Sequence, residues 1–433
     1  MKHLQTKLSA TAVALLLTGA VSAHDMVPGA AQTQPILIQD GTVYSVANGV
    51  LSNTDLLLEN GKITAIGVDL MVPANAQVIN AEGKHIYPGL IALDTTLGLI
   101  EIEAVRATDD QREVGLIHPE VRSHIAYNPD SEVIPTLRYN GITHAQIVPQ
   151  GSLVMGQSSV LELDAWTWED GAQALDIGVH INWPRVGLNT AWWERRSPEE
   201  QRKANAEARE RLNQAIADAK AYATAKAAGT LERTDIRWEA MVGVFDGSKK
   251  LFVHADDKRQ LEQAIALQQE YGFDMVLMGA RDAWRMLDQL AAADIPVVYG
   301  APFGLPSRHD EAFDQAFSVP GQLAAAGVDF AIAYPGFWDT RNLAFAAGNA
   351  AAYGLAKDHA LRAITLDAAK ILGIDDELGS LEVGKEATLL ISNGDVLDPL
   401  GQDIQQMFIE GREVDLRSRH TQLYEKYQQK PVE

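Results

Sequence analysis

PGLIALDTTLGL, from Pro88 to Leu99, is the stretch from which the rest of the chain is read. It follows a Gly-containing turn, is mostly apolar, and ends where polar residues suddenly enter. That pattern predicts a buried strand reaching its end near Asp94. Asp94 and Thr96 are two residues apart, so an extended strand turns both to one face. The functional question turns on what those two side chains do there.

Downstream, Ile142 to Val148, Val179 to Asn182, Leu251 to His254, Met275 to Met278, Ile295 to Tyr299 and Asp329 to Ala333 are apolar runs of strand length. Several are flanked by helix-like stretches, an order that implies parallel strands with crossover helices. Over roughly 89–375 this predicts an α/β unit, a (β/α)8 barrel with its site at the C-terminal ends of the strands. The longest helix signal runs from Ser197 to about Ala228. Ser197 and Glu200 form a capping box with Pro198 at the first helical position. The charged, alanine-rich run behind them reads as a solvated face coating the barrel.

Both flanks of this middle are β-like. Residues 34–87 carry short apolar runs (Ile36 to Ile38, Leu56 to Leu58, Ile63 to Ile66, Val78-Ile79) punctuated by Asp40-Gly41, Asn60-Gly61 and Glu82-Gly83. Asp-Gly and Asn-Gly favour tight hairpin turns. Residues 379–415 repeat the pattern with Asn393-Gly394 and Glu410-Gly411. The expected organisation is a small composite β-sandwich from 34–87 and 379–415, a barrel over 88–378, and a polar, loosely held tail over 416–433.

The first 23 residues read as a signal peptide. Lys2, His3 and Lys7 make a polar, basic start, Ala10 to Ala20 is too short to span a bilayer, and Val21-Ser22-Ala23 is a small-residue cleavage signature. The mature chain is expected to be exported, periplasmic in a Gram-negative host, without a further membrane span. There are no cysteines, which excludes disulfides, thiolate metal sites and a cysteine nucleophile. A net charge of −22 leaves no basic footprint for nucleic acid. A hydrophobic content of 46% argues for a folded chain rather than a disordered one. No Gly-x-Ser-x-Gly elbow and no phosphate-cradling loop with a lysine is present, and DGSKK at Asp246 to Lys250 reads as a turn.

Several segments carry a family resemblance. AEGKHIYPGLI, LGLIEIEAVRATDD, GITHAQIVPQGSLVMGQSSVLEL and HADDKRQLEQAIALQQEYGF are similar to successive segments of imidazolonepropionase-like members of the amidohydrolase superfamily. The most specific is ALRAITLDAAKILGIDDELGSLEVGKEATLLISNGD, with its Thr-x-x-x-Ala-Lys helix leading to Gly-Ser-Leu-Glu-x-Gly-Lys. The resemblance covers nearly the whole mature chain. It implies a metallo-hydrolase TIM-type barrel with a composite sandwich, and it does not by itself imply activity.

In intact members, histidines on barrel strands one, five and six and an aspartate on strand eight hold one or two divalent metals. The metal lowers the pKa of a bound water and the aspartate shuttles its proton. Carried onto this chain, the first-strand histidine pair becomes Asp94 and Thr96. The strand-five histidine is retained as His254. The strand-six histidine position falls on Gly279, and the aspartate position on Pro335, so the catalytic residues are unknown. Gly279 and Pro335 have no ligating side chain and Thr96 is a poor zinc ligand. A catalytic zinc needs about three protein ligands. Asp94 and His254 are what remains of the set.

Residues that could rebuild a site are Glu101, Glu103, Asp109, Asp110, His118 and His124 after the first strand, and His144 and His180 on or near other strands. Each also reads as an ordinary solvated acid or a satisfied structural histidine. Arg185, after Trp183-Pro184, is a candidate for meeting a substrate carboxylate. Trp166, Trp168, Trp183, Trp192 and Trp193 read mainly as packing of the long helix onto the barrel, the other reading being an aromatic pocket or interface.

Three functional readings stay open. The first is an inactive or non-classical amidohydrolase homologue acting in binding, as a homo-oligomer or as partner to an intact relative, with a small amide or peptide ligand and no tightly bound cofactor. The second is an active hydrolase of carbon–nitrogen bonds in non-peptide amides, cyclic amides or dipeptides, with zinc or another divalent metal in a rearranged site. The third is a purely structural interaction protein using its acidic surface.

Overall fold

The computed structural model describes residues 26–431. The expected signal segment and its cleavage point lie outside them. Two sheets of eight strands each organise the chain. The first takes its strands from both ends of the sequence: β1 (Ile36–Tyr44), β2 (Val50–Glu59), β3 (Lys62–Gly67), β4 (Gln77–Asn80) and β5 (His85–Pro88), and after the barrel β14 (Leu389–Ser392), β15 (Ile404–Ile409) and β16 (Arg412–Glu413). Their order is β16-β15-β14-β5-β1-β2-β3, with β4 pairing β1. A bridge between Lys62 and Glu386 curls the sheet nearly back on itself, around a core that includes Ile38, Leu56, Ile86, Leu389 and Phe408.

Turn chemistry explains the local pairing. Asn60 and Gly61 both have positive φ (52° and 76°), as do Glu410 and Gly411 (49° and 71°), the geometry of two-residue hairpins whose twist matches the strands. Asp40-Gly41 does not make the expected turn. It is a bulge inside β1, where the register to β2 shifts and the Asp40 N–H donates to Asp55 Oδ1 at 2.9 Å.

The second sheet is the barrel: β6 (Leu90–Thr95), β7 (Ile142–Ile147), β8 (Val154–Glu162), β9 (Ala172–Asn182), β10 (Lys250–Ala255), β11 (Met275–Gly279), β12 (Val297–Tyr299) and β13 (Phe330–Ile332), in chain order around the ring. It closes through a bridge from Thr95 to Gly336 and a hydrogen bond from Thr96 N–H to the Gly336 carbonyl at 3.0 Å. The chain passes from the first sheet into the barrel at Pro88–Leu90. Gly89 is required there, because a Cβ would lie 2.3 Å from Thr143 Oγ1.

The barrel departs from an all-parallel ring at one stave. β8 runs antiparallel to both β7 and β9, so these three strands form a meander. Helices follow elsewhere: α1 (Ile134–Tyr139) before β7, α2 (Pro198–Ala227) and α3 (Ile236–Asp246) before β10, α4 (Lys258–Tyr271) before β11, α5 (Leu287–Ala293) before β12, α6 (Gln315–Ala325) before β13, then α7 (Leu343–Ala352), α8 (Lys357–Arg362) and α9 (Leu366–Leu372). Helix α2 starts at its Ser197/Glu200 capping box and buries Leu212, Ala215, Ile216, Ala219 and Tyr222, one face at helical spacing. The barrel interior is apolar below the mouth. Ile91, Leu93, Val160, Phe252, Val276, Val298 and Ala331 fill it, and α9 packs Ala368, Ala369, Ile371 and Leu372 against them.

One sequence expectation needs correction. Packing does not account for Trp166, Trp192 and Trp193, which are 63%, 91% and 63% exposed. Trp183 is buried and donates to Gln263 Oε1 at 2.9 Å, and Trp168 is half-buried against the core. The tail beyond residue 416 carries a helix, α10 (Arg419–Gln428), started by a Ser418/Thr421 capping box, with no buried side chain.

Candidate functional site

The C-terminal ends of the barrel strands frame two adjoining clefts of about 620 and 530 Å³. Asp94, His254 and Pro335 line both, so they stand at the junction. Asp94 sits at the end of β6 with φ of +56°, where the register to β7 slips between Ala92 and Thr95. Asp tolerates this left-handed geometry better than most residues. The simple alternation expected for Asp94 and Thr96 is therefore broken by a bulge, although both still line the second cleft.

Behind that junction lies a chain of hydrogen bonds drawn from five successive strands. The Asp94 N–H donates to Gln146 Oε1 at 3.3 Å, and Gln146 Nε2 donates to Ser158 Oγ at 3.1 Å. Ser158 Oγ lies 2.7 Å from His180 Nε2, and His180 Nδ1 lies 2.9 Å from His254 Nε2. His254 Nδ1 faces Asp94 Oδ1 at 4.0 Å, beyond hydrogen-bond reach. Phe252 lies flat under His180, with ring centroids 4.5 Å apart and planes 11° apart.

Gln146 donates its amide N–H to Ser158 Oγ, and the imidazole tautomers set the directions of the Ser158–His180 and His180–His254 bonds. Burial, and secondly the charge of His254, hold His180 far below the usual imidazole range. Burial also raises the Asp94 carboxyl above the usual carboxylate range; His254 pulls it back and Asp256 adds to the rise.

The family resemblance implies a metal at this junction. His254 is the one histidine at a carried-over ligand position, and its Nε2 is hydrogen-bonded to His180 Nδ1 at 2.9 Å. Its Nδ1 and Asp94 Oδ1 stand 4.0 Å apart, which two bonds of about 2.0 Å could span only in a straight line, not at a tetrahedral angle. Gly279, at the end of β11, has φ of +83°, and a Cβ there would lie 2.8 Å from Asp256 Oδ1. Pro335 has no donor side chain. Among the described residues no group of three His, Cys, Asp or Glu side chains could hold a metal ion. The residues present do not fit the metal.

The other sequence candidates scatter. His124 is buried with Nδ1 2.9 Å from Ser159 Oγ, on the opposite face of β8 from Ser158. His144 is buried beside Thr143 Oγ1, and burial, with Arg412 second, drives it down to about 3. His118 binds the Val114 carbonyl at 3.1 Å, and Glu101 accepts from Asn128 Nδ2 at 3.2 Å. Asp110 borders a separate surface hollow. Glu103 and Asp109 line the second cleft, while Arg185 lines the first with Arg281. Of these histidines, His180 alone reaches His254. Gln146, Ser158, Asp256 and Arg281 carried no sequence signal, because nothing local marks a glutamine or serine on a buried strand as part of such a chain.

A prediction follows for Asp94. Its raised carboxyl pKa means that the folded state holds the proton better than the unfolded chain does. Its favourable contribution is complete below the unfolded-chain pKa and lost as pH rises through the folded value. Asp94→Asn keeps the left-handed backbone and removes the charge. At neutral pH the variant is expected to be more stable, by on the order of 1 kcal/mol. The gain should shrink as pH falls toward 4, the ordinary carboxylate range. Urea melts at several pH values measure this, and a variant less stable than the parent at neutral pH would contradict the burial argument.

Comparison with known proteins adds a partial family match and a fold. Residues 312–414 match the amidohydrolase family model. A dihydroorotase of Trichlorobacter lovleyi is 37% identical over 62 residues, 14% of this chain and 15% of that protein, so the chain matches only a small part of that relative's length. Among solved structures, an amidohydrolase of Thermotoga maritima MSB8 superposes with a TM-score of 0.77 at 23% identity, covering 88% of this chain and all of that one (100%). Molinate hydrolase superposes with a TM-score of 0.57 at 16% identity, covering 90% and 95%. At these identities the superpositions speak for the fold alone.

Proposed function

We propose that this chain, with an amidohydrolase-type barrel and a family match over 312–414, is an exported amidohydrolase-superfamily protein that binds a small amide or peptide ligand without the metal chemistry of that superfamily. It serves as a binding protein, or as the partner subunit of an intact relative. The observation that carries this reading is the hydrogen bond between His180 and His254 at 2.9 Å, which occupies Nε2 of the remaining ligand-type histidine. The clefts keep ligand dimensions, and their mouth is polar, with Arg185 and Arg281 on one side and Asp94 on the other.

One observation favours hydrolysis as a second reading. Asp94 is a buried carboxyl of raised pKa facing an imidazole in a cleft, a pairing suited to general acid–base work. Calorimetry with dipeptides and cyclic imides, with and without chelator, tests the first reading. Binding that survives chelation without turnover is expected. Turnover that a chelator abolishes would overturn it, and turnover that a chelator leaves intact would select the second. For export, N-terminal sequencing of the secreted product should begin at His24.

A further inference from the structure

We propose that the chain associates with further copies of itself, the Trp192–Trp193 loop of one copy seating in the apolar hollow between α7 and the segment after β14 of another. This contact is independent of what the two clefts bind.

The loop is built to hold its two indoles outward. Gln201, buried in the first turn of α2, accepts from the Asn189 N–H at 2.7 Å and donates to the Asn189 and Arg196 carbonyls at 3.2 and 3.1 Å, so one side chain pins both ends of the loop. Asn189 Oδ1 accepts from the Ala191 N–H at 3.1 Å, and the Glu194 N–H donates to the Ala191 carbonyl at 3.0 Å. That last bond makes a tight turn with Trp192 and Trp193 at its centre. The two rings meet edge to face, with 5.6 Å between centroids. Exposed aromatic surface that is already ordered loses little freedom on binding, which is how interface anchors gain affinity.

The hollow has a volume of about 690 Å³ and shares no lining residue with the two clefts. Phe303, Phe345, Ala352, Leu397 and Pro399 give it an apolar lining. Gly348 fixes one wall. A Cβ there would lie 2.0 Å from the Leu397 carbonyl oxygen, so only glycine lets the segment at Leu397 lie down on α7.

Charge favours a second copy as the occupant. The rim of the hollow carries Lys357, Asp395 and Asp398. Lys357 pairs with Asp395, which leaves the exposed Asp398 without an ion pair among the described residues. On the loop, Glu194 takes the Arg196 guanidinium with both oxygens, at 3.0 and 2.8 Å. Arg195 beside it is exposed and has no ion pair among the described residues. An apolar pair with one cation at its side thus meets an apolar hollow with one anion at its rim. The two indoles offer on the order of 300 Å² of surface, a large anchor for an interface that takes about 800 Å² from each partner. The loop follows β9 and the hollow follows β13, four staves apart and so on opposite sides of the ring of eight. A copy therefore cannot fill its own hollow, and the contact runs head to tail from one copy to the next.

Sedimentation velocity over a concentration series decides it. The parent protein is expected to associate at about micromolar concentration. Trp192→Ala with Trp193→Ala should weaken association at least about thirtyfold, the scale of one hot-spot anchor. Ala352→Arg, at an exposed position in the wall of the hollow, should do the same from the other side. Mixing tests the pairing itself. The tryptophan variant keeps its hollow and the arginine variant keeps its loop, so together they should form a one-to-one dimer that neither forms alone. A parent that stays monomeric to about 100 μM would overturn the proposal, whether the indoles then prove to enter another protein or phosphatidylcholine vesicles. So would association that survives in either variant, or a mixture of the two that stays monomeric.

Discussion

Gly279→His is expected to destabilise the chain by about 3 kcal/mol without building a zinc site. The position has φ of +83°, and a left-handed backbone costs a side chain about 1–2 kcal/mol. A Cβ would lie 2.8 Å from Asp256 Oδ1, and overpacking of this kind costs about 1–3 kcal/mol. Asp256 is not free to swing away without loss, because its Oδ1 accepts from the Arg281 N–H at 3.3 Å. Gly279→Asn separates the two causes, since asparagine tolerates positive φ and should cost less. Chemical denaturation of both variants, with zinc titrated in parallel, is the measurement. A histidine variant as stable as the parent, or one that gains a tight zinc ion, would show that the position was merely vacant.

Asp164→Ala is expected to cost about 4 kcal/mol, the usual scale for stripping one partner from a buried ion pair. Asp164 is fully buried just beyond β8 and pairs with Arg138 of α1, whose side chain is 4% exposed. Its second oxygen accepts from the Gly29 N–H at 2.8 Å and meets Arg412 at 3.5 Å. Arg412, at the start of β16, also holds both oxygens of Glu162 at 2.6 and 2.8 Å. One carboxylate thus ties the barrel, the segment ahead of β1 and the last strand of the curled sheet. Removing it leaves Arg138 buried with its main counter-charge gone. Asp164→Asn keeps the shape and some of the hydrogen bonds, so it should lose less. Unfolding in urea checks both, and a loss below about 1 kcal/mol for the alanine variant would mean that the sheet and barrel do not depend on this junction.

The parts of the fold that were legible in the sequence are those governed by neighbours along the chain. Ser197 and Glu200 three residues apart predict the start of α2, and Asn60-Gly61 predicts a turn whose residues adopt the positive φ values that it needs. Asp40-Gly41 carries the same local signal and gives a bulge instead, because Asp55 captures the Asp40 N–H from the neighbouring strand. The reversal of β8 is invisible locally, since VMGQSSVLE alternates equally well in either direction. Trp192 and Trp193 have core-like chemistry, yet they sit in the open connection between β9 and α2.

The site divides the same way. The changes at Asp94, Thr96, Gly279 and Pro335 can be read one residue at a time against a family pattern. What surrounds His254 depends on register. His180 meets His254 because β9 and β10 pair with His254 opposite Asn182, which sets His180 one pleat below on the same inner face. Ser158 reaches His180 because Gly156 is the residue opposite it on a strand running the other way. Those pairings are tertiary facts, and no spacing within either strand encodes them.

The central claim is that a hydrogen-bonded chain from Gln146 to His254, with Asp94 facing its end at 4.0 Å, stands where a metal centre would be. The stoichiometry of bound metal tests it most directly. The protein is purified without chelator, saturated with zinc or manganese, freed of unbound ion, and its metal content is measured per chain. The expected result is far less than one ion per chain, with the same value for His254→Ala as for the parent. One or two tightly held ions per chain, lost on replacing His254 or Asp94, would contradict the account and return the site to metal chemistry.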